Sequence, residues 1–169
     1  MKHTISLLVE NHEGVLSRIA GLFSGRGYNL ESFTAGPSVD PSMTRITLVC
    51  GGDDQIIDQI KKQLNRLIDI IKVVDLTESP TVDRELALVR VKAKSGARGE
   101  IFQIADIFRA KVMDVASESI MLELTGSSDK IDDFIALLED FSILEFARSG
   151  IVSMSRGKKE QRGPSAAKQ

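Results

Sequence analysis

The sequence predicts an α+β fold: one small β-α-β-β-α-β unit written twice in tandem. Three observations carry this. Short apolar runs alternate with period two, and the segments between them switch to the three-to-four spacing of an amphipathic helix. Two stretches recur: "IAGLFSGRGYNLES" (19–32) aligns with "IADIFRAKVMDVAS" (104–117) at an offset of 85, and "DQIIDQI" (54–60) with "DKIDDFI" (129–135) at an offset of 75. A polar stretch, "TESPTVD" (77–83), reads as a linker between the copies.

In the first copy, "TISLLV" (4–9) is a strand with Ile5, Leu7 and Val9 on one face. "NHEG" breaks the alternation, and from Val15 the residues Val15, Leu16, Ile19, Leu22 and Phe23 mark one helical face. Gly25 and Gly27 close that helix, because glycine tolerates the left-handed conformation that ends one. "YNLESFT" is a second strand, "AGPSVDPS" a loop, and "MTRITLVC" a third strand with Ile46, Leu48 and Cys50 on one side. "GGDD" starts a second helix on acidic residues, which suit the positive end of its dipole. Its stripe is Ile56, Ile60, Leu64 and Leu67, and "IDIIKVVDL" is the fourth strand.

The second copy follows the same order. "ELALVRVKA" is a strand, Ile101, Ile104, Ala105 and Phe108 mark a helix face, and "VMDVAS" and "SIMLELTG" are strands. Ile131, Phe134, Ile135 and Leu138 mark the last helix, and "ILEFARSGIVSMS" closes the unit. The ten-residue difference between the offsets falls in the connection between the second and third strands, where "AGPSVDPSM" has no counterpart. The strand order is that of a ferredoxin-like unit. The expected division is 1–76, a linker at 77–83, 84–157, and a disordered basic tail at 158–169. Each unit is near the lower size limit for a stable core, so docking or dimerisation is expected.

Charge limits the partners. The net charge is −2, but the last fourteen residues carry five Lys/Arg against one Glu, which leaves the body at −6. Nucleic-acid binding needs a basic face, and RNA-binding relatives of this strand order need aromatics on "MTRITLVC", so no nucleic acid is expected. No apolar run approaches membrane-span length and no secretory signal pattern opens the chain, so no membrane partner and a cytoplasmic location are expected. The single cysteine, Cys50, lies in a strand pattern and reads as a buried structural thiol.

The turn "NHEG" is the chemically informative segment. A helix N-terminus presents unpaired amides and partial positive charge, suited to a carboxylate or phosphate. Gly14 would let a ligand approach the backbone, and Asn11 and Asn29 would supply amides that both donate and accept. Against this, strand-to-helix turns carry Asn and Gly for conformational reasons alone, and on these residues by themselves that plainer reading comes first. No catalytic residues are expected: there is no nucleophile elbow, phosphate loop or dinucleotide fingerprint. His3 and His12 have no partners at metal spacing, so no metal site is expected either.

The stretch "ISLLVENHEGVLSRIAGLFSGRGYNLESFTAGPSVDPSMTRITLV" resembles the N-terminal ACT domain of the acetolactate synthase (acetohydroxyacid synthase) small regulatory subunits, with "LSRIAGLFSGRGYNLESFTAGP" its most specific piece. "VDRELALVRVKA" and "EFARSGIVSMSRG" resemble that family's second domain, so the resemblance spans about residues 3 to 157. It implies a non-catalytic subunit that activates a large catalytic subunit and confers feedback inhibition by valine, in some members by leucine or isoleucine. Thiamine diphosphate, Mg²⁺ and FAD are expected on the large subunit and no cofactor on this chain. ACT domains of the family pair side by side into a homodimer with valine between protomers. By position, Asn11, Gly14, Val15 and Leu16 of one protomer would face Asn29 and Leu30 of the other. The chain departs from the family at Glu13, where Pro or Ser is common; that carboxylate would either repel the ligand or turn outward beside the helix N-terminus. Two other readings stand beside this one. One is a free-standing amino-acid sensor with another target. The other is a small acyl-phosphate hydrolase holding phosphate with Arg18 or Arg26 and Asn29.

Overall fold

The computed structural model describes residues 1–94 and 96–157; the tail read at 158–169 lies outside the described residues. The first unit comprises β1 (Lys2–Glu10), α1 (Val15–Arg26), β2 (Leu30–Pro37), β3 (Met43–Gly51), α2 (Asp54–Leu64) and β4 (Ile70–Asp75). The second comprises β5 (Thr81–Lys92), α3 (Arg98–Phe108), β6 (Lys111–Val115), β7 (Ser119–Gly126), α4 (Ser128–Leu138), a 3₁₀ turn (Glu139–Phe141), β8 (Ile143–Arg148) and β9 (Val152–Ser155). The sheets are antiparallel, in order β2-β3-β1-β4 and β6-β7-β5-β8, so the α+β tandem ferredoxin-like fold holds.

Each sheet buries one face against its own pair of helices. In the first, Ile5, Leu7 and Val9 of β1 meet Ile46, Leu48 and Cys50 of β3, covered by Val15, Ile19 and Phe23 of α1 and Ile57, Ile60 and Leu64 of α2. In the second, Val89, Val91, Leu122 and Leu124 pack under Ile101 of α3 and Ile131, Phe134 and Leu138 of α4. Each such fully buried side chain contributes about 1.5–3 kcal/mol by leaving water. The two cores are separate clusters, as expected of a repeated unit.

Local signals set the helix ends. Gly27 takes φ +67°, and the Tyr28 amide donates to the Phe23 carbonyl at 3.0 Å, the pattern of a Schellman stop. Asp53 caps α2, its side chain accepting from the Ile56 amide at 2.9 Å.

Four expectations need adjustment. Leu16 is not in the buried stripe of α1; it is 46% exposed, rotated off the line of Val15, Ile19 and Phe23. In α2 the buried position is Ile57 rather than Ile56, and Leu67 packs from beyond the helix end. Thr81, Val82 and Asp83, within the stretch read as a linker, begin β5. The closing strand is broken at Ser149–Ile151. Past the break, β9 leaves the main sheet and pairs with Thr81–Arg84, the part of β5 that β8 does not reach. Gly150 makes the break, with φ +80°.

β9 and the turn before it lie across the first sheet's outward face. Ser6, Thr47 and Val49 point away from α1 and α2, yet are buried there. A cavity of about 760 Å³ lies between the units, lined by Lys2, Glu31 and Ser32 on one side and Glu85, Asp132 and Arg148 on the other.

Candidate functional site

β1 delivers the chain to the turn 11–14, and α1 carries it back. Gly14 is the N-cap, in the left-handed conformation (φ +84°, ψ −12°), and no side chain caps the helix. Its carbonyl accepts from the Arg18 amide at 2.9 Å, the first helical bond. The amides of Val15, Leu16 and Ser17 precede that bond and have no helical acceptor. Val15 is buried beneath the turn, and Leu16 stands exposed beside it. Glu13 is exposed at the surface of the turn.

Asn11 has a structural task. Its backbone amide donates to the Ser42 carbonyl at 2.7 Å and its side-chain Nδ2 to the Pro41 carbonyl at 3.0 Å, which ties the turn to the β2–β3 loop. That loop is stiffened by Asp40, which accepts from the Ser42 hydroxyl and amide; these bonds hold its carboxyl below the usual range. A hollow of about 410 Å³ opens here, lined by Glu10, Asn11, His12, Ser42, Met43 and Ile71.

Beneath the turn is a group that spacing along the chain does not reveal. Asp69, just before β4, is 4% exposed. Arg18 Nε donates to its Oδ2 at 2.7 Å, and His12 Nε2 lies 3.0 Å from its Oδ1 and 3.2 Å from Glu10 Oε2. His12 thus sits between two carboxylates. The hydrogen bond from Arg18 holds the Asp69 carboxyl below the usual range, against the opposing effect of burial. Glu10, His12 and Asp69 place three ligand-type atoms within 4.8 Å of one another. The Arg18 guanidinium already supplies a cation to Asp69, so the group is an ion-pair network. The guanidinium also lies close over the turn: a Cβ on Gly14 would lie 3.0 Å from Arg18 Nη1.

Within one protomer the six candidate residues do not converge. Asn29 is exposed, its carbonyl accepting from the Gly51 amide, and Leu30 pairs in register with Cys50 and so with His3. The turn follows the opposite end, where Pro37, Thr44 and Val9 align. Six residues of β1 separate these rows, about 20 Å at strand rise. Asn11, Gly14, Val15 and Leu16 form one cluster, and Asn29 and Leu30 another. Arg18 is turned to Asp69, beside the opposite end of the sheet from Asn29, so the phosphate grip suggested for that pair does not assemble in one chain. Arg26 lies at the Asn29 end of α1.

Comparison with known proteins bears on both units. Residues 84–157 match the family described as the small subunit of acetolactate synthase, and residues 5–72 the AHAS small subunit-like ACT domain. The chain is 50% identical over 160 residues to a probable acetolactate synthase small subunit of Archaeoglobus fulgidus, covering 95% of this chain and 100% of that one. It is 46% identical to the acetolactate synthase small subunit of Haemophilus influenzae, covering 94% and 98%. The crystal structure of the Thermotoga maritima acetolactate synthase small subunit superposes with a TM-score of 0.86 at 41% identity, covering 93% of this chain and 98% of that one.

Proposed function

The chain belongs to the acetolactate synthase small-subunit family, and from that premise we propose that it activates the large catalytic subunit and makes it sensitive to valine. Residues 1–76 form the amino-acid-binding ACT unit and 84–157 the second unit. Valine binds between two ACT units, and thiamine diphosphate, Mg²⁺ and FAD reside on the large subunit. The assembly works in the cytoplasm.

One observation carries the reading. β2 is an edge strand, and because β2 and β1 are both antiparallel to β3, they run the same way. An edge strand offers unpaired amides and carbonyls to another chain. Antiparallel pairing of β2 with β2 of a second copy sets Leu30 of one against Pro37 of the other. The partner's Asn29 and Leu30 then arrive beside this protomer's Asn11, Gly14, Val15 and Leu16. Two clusters about 20 Å apart in one chain become two complete sites in a dimer.

The chemistry of such a site suits an α-amino acid. The amides of the first turn of α1, the helix dipole and the Arg18 guanidinium favour the carboxylate. The side-chain oxygens of Asn11 and of the partner's Asn29 accept from the ammonium. Leu16 and the partner's Leu30 supply apolar contact for a branched side chain. With no Cβ at Gly14, the Arg18 guanidinium can lie over the turn, where it would meet the carboxylate.

The test is reconstitution. The chain is added to purified large subunit, and acetolactate formation is followed with and without valine, alongside calorimetric titration of the chain with each branched-chain amino acid. Activation, reversed by valine, is expected. A chain that neither raises the rate nor binds any of the three refutes the proposal.

A further inference from the structure

The strand that carries Asn29 and Leu30 is also the strand that the second unit grips. Ser32 and Thr34 pair in register with Val49 and Thr47, on the sheet face away from α1. The Ser149–Ile151 turn seats on them. Thr34 Oγ1 donates to the Ser149 carbonyl at 3.2 Å, and the Ile151 amide donates to Ser32 Oγ at 3.4 Å. Gly150, at φ +80°, passes so close that a Cβ on it would overlap Ser32 Oγ and lie 2.8 Å from Thr34 Oγ1. Both the conformation and the approach demand glycine here.

The turn is also fastened into its own unit. The Ser149 amide donates to the Leu86 carbonyl and the Leu86 amide to Ser149 Oγ, each at 3.0 Å. Immediately before it, Arg148 pairs with the buried carboxylate of Glu85 and with Asp132 on α4. β2, by contrast, is hydrogen-bonded within its sheet along one side only, to β3. In the dimer proposed above its other side pairs with the partner's β2, so a displacement of the strand is shared by the two copies, and the contact on its outward face leads into β5, β8 and α4.

Resting on the valine reading above, we propose that the Ser149–Gly150–Ile151 turn is the joint that relays occupancy of the Asn29–Leu30 half-site to the second unit. Gly150, Ser32 and Thr34 are its positioning residues; they lie on the far face of the sheet from α1, away from the ligand. Coupling and intrinsic affinity are separate quantities, so damage to the joint removes the relay while the ligand still binds.

The test uses the full chain with two variants, Gly150→Ala and the double variant Ser32→Ala/Thr34→Val. Valine affinity of the variants is measured by calorimetry, and activation and half-inhibiting valine concentration in assembly with the large subunit. Affinity within about threefold of wild type, retained activation and a rise of about tenfold or more in half-inhibiting valine are expected, within the usual span of coupling effects. Unchanged inhibition in the double variant overturns the relay. So does a parallel loss of binding and inhibition, which would mark a merely structural contact. Should Gly150→Ala fail to fold, the double variant decides, since it removes only hydroxyl groups or exchanges one for a methyl. A wild-type chain that binds no branched-chain amino acid overturns the underlying reading and the relay with it.

Discussion

Two variants that each lose valine binding are predicted to recover it when mixed. The first is Gly14→Asp. Gly14 sits at φ +84°, ψ −12°, where an L-residue costs about 1–2 kcal/mol, or about 2–8 °C in melting temperature for a chain of this size. Gly14→Ala carries that backbone cost and the same Cβ contact with Arg18 Nη1, without the added charge, and is the control. The aspartate adds a carboxylate about 4 Å from that of valine, worth about 4 kcal/mol of repulsion at an effective dielectric of 20. Screening and the Arg18 guanidinium reduce this to about 2–3 kcal/mol, a loss of about 30–150-fold in affinity. The second variant, Asn29→Ala, would remove the polar contact proposed for Asn29 and is expected to cost about 1–3 kcal/mol. In a mixed dimer, one site combines the Gly14→Asp turn with the Asn29→Ala segment and is doubly impaired. The other combines an intact turn with an intact segment. Calorimetry after confirmed subunit exchange is expected to show wild-type affinity at one site of each mixed dimer, about a quarter of all sites after statistical exchange of equal amounts. Normal valine binding by Gly14→Asp, or no recovery in confirmed heterodimers, refutes the shared site.

The other predictions concern stability and reactivity. Asp69 has a folded pKa below its unfolded value of about 3.9, so its stabilisation is present above that value and is lost as pH falls through the lower folded value. Asp69→Asn is expected to flatten the acid limb of melting temperature against pH; an unchanged acid limb contradicts this. Burial, with Asp75 and Glu31 nearby, pushes the Cys50 thiol up to about 11. Mass spectrometry is expected to find it unalkylated by iodoacetamide in the native protein at pH 8 and labelled after denaturant unfolding. Phe134 is fully buried in the second core, and Phe134→Ala is expected to destabilise that unit by about 3–5 kcal/mol in denaturant titrations. Wild-type stability would show that the cavity collapses.

What the sequence determined by itself is local. Alternation at Ile5, Leu7 and Val9 and four-residue spacing at Val15, Ile19 and Phe23 each select one face of one element. Gly27 and Asp53 end or begin a helix through bonds to residues three to five positions away. Because the pattern occurs twice, the repeat was legible too, and so was the turn at Gly14. The tertiary structure decided everything that depends on which strands become neighbours. Asp69 reaches Arg18 across 51 residues because β4 lies beside β1, and no spacing along the chain encodes that. Asn29 and Gly14, suggested together by resemblance, lie at opposite ends of one sheet. Only the parallel course of β1 and β2, with β2 at an edge, explains how a second copy would unite them. "ILEFARSGIVSMS" reads as one strand by its apolar content, yet Gly150 breaks it. Its φ of +80° and its contact with Ser32 and Thr34, more than a hundred residues earlier, arise only when the second unit closes over the first. Periodicity records which side of an element avoids water; it does not record what comes to cover that side.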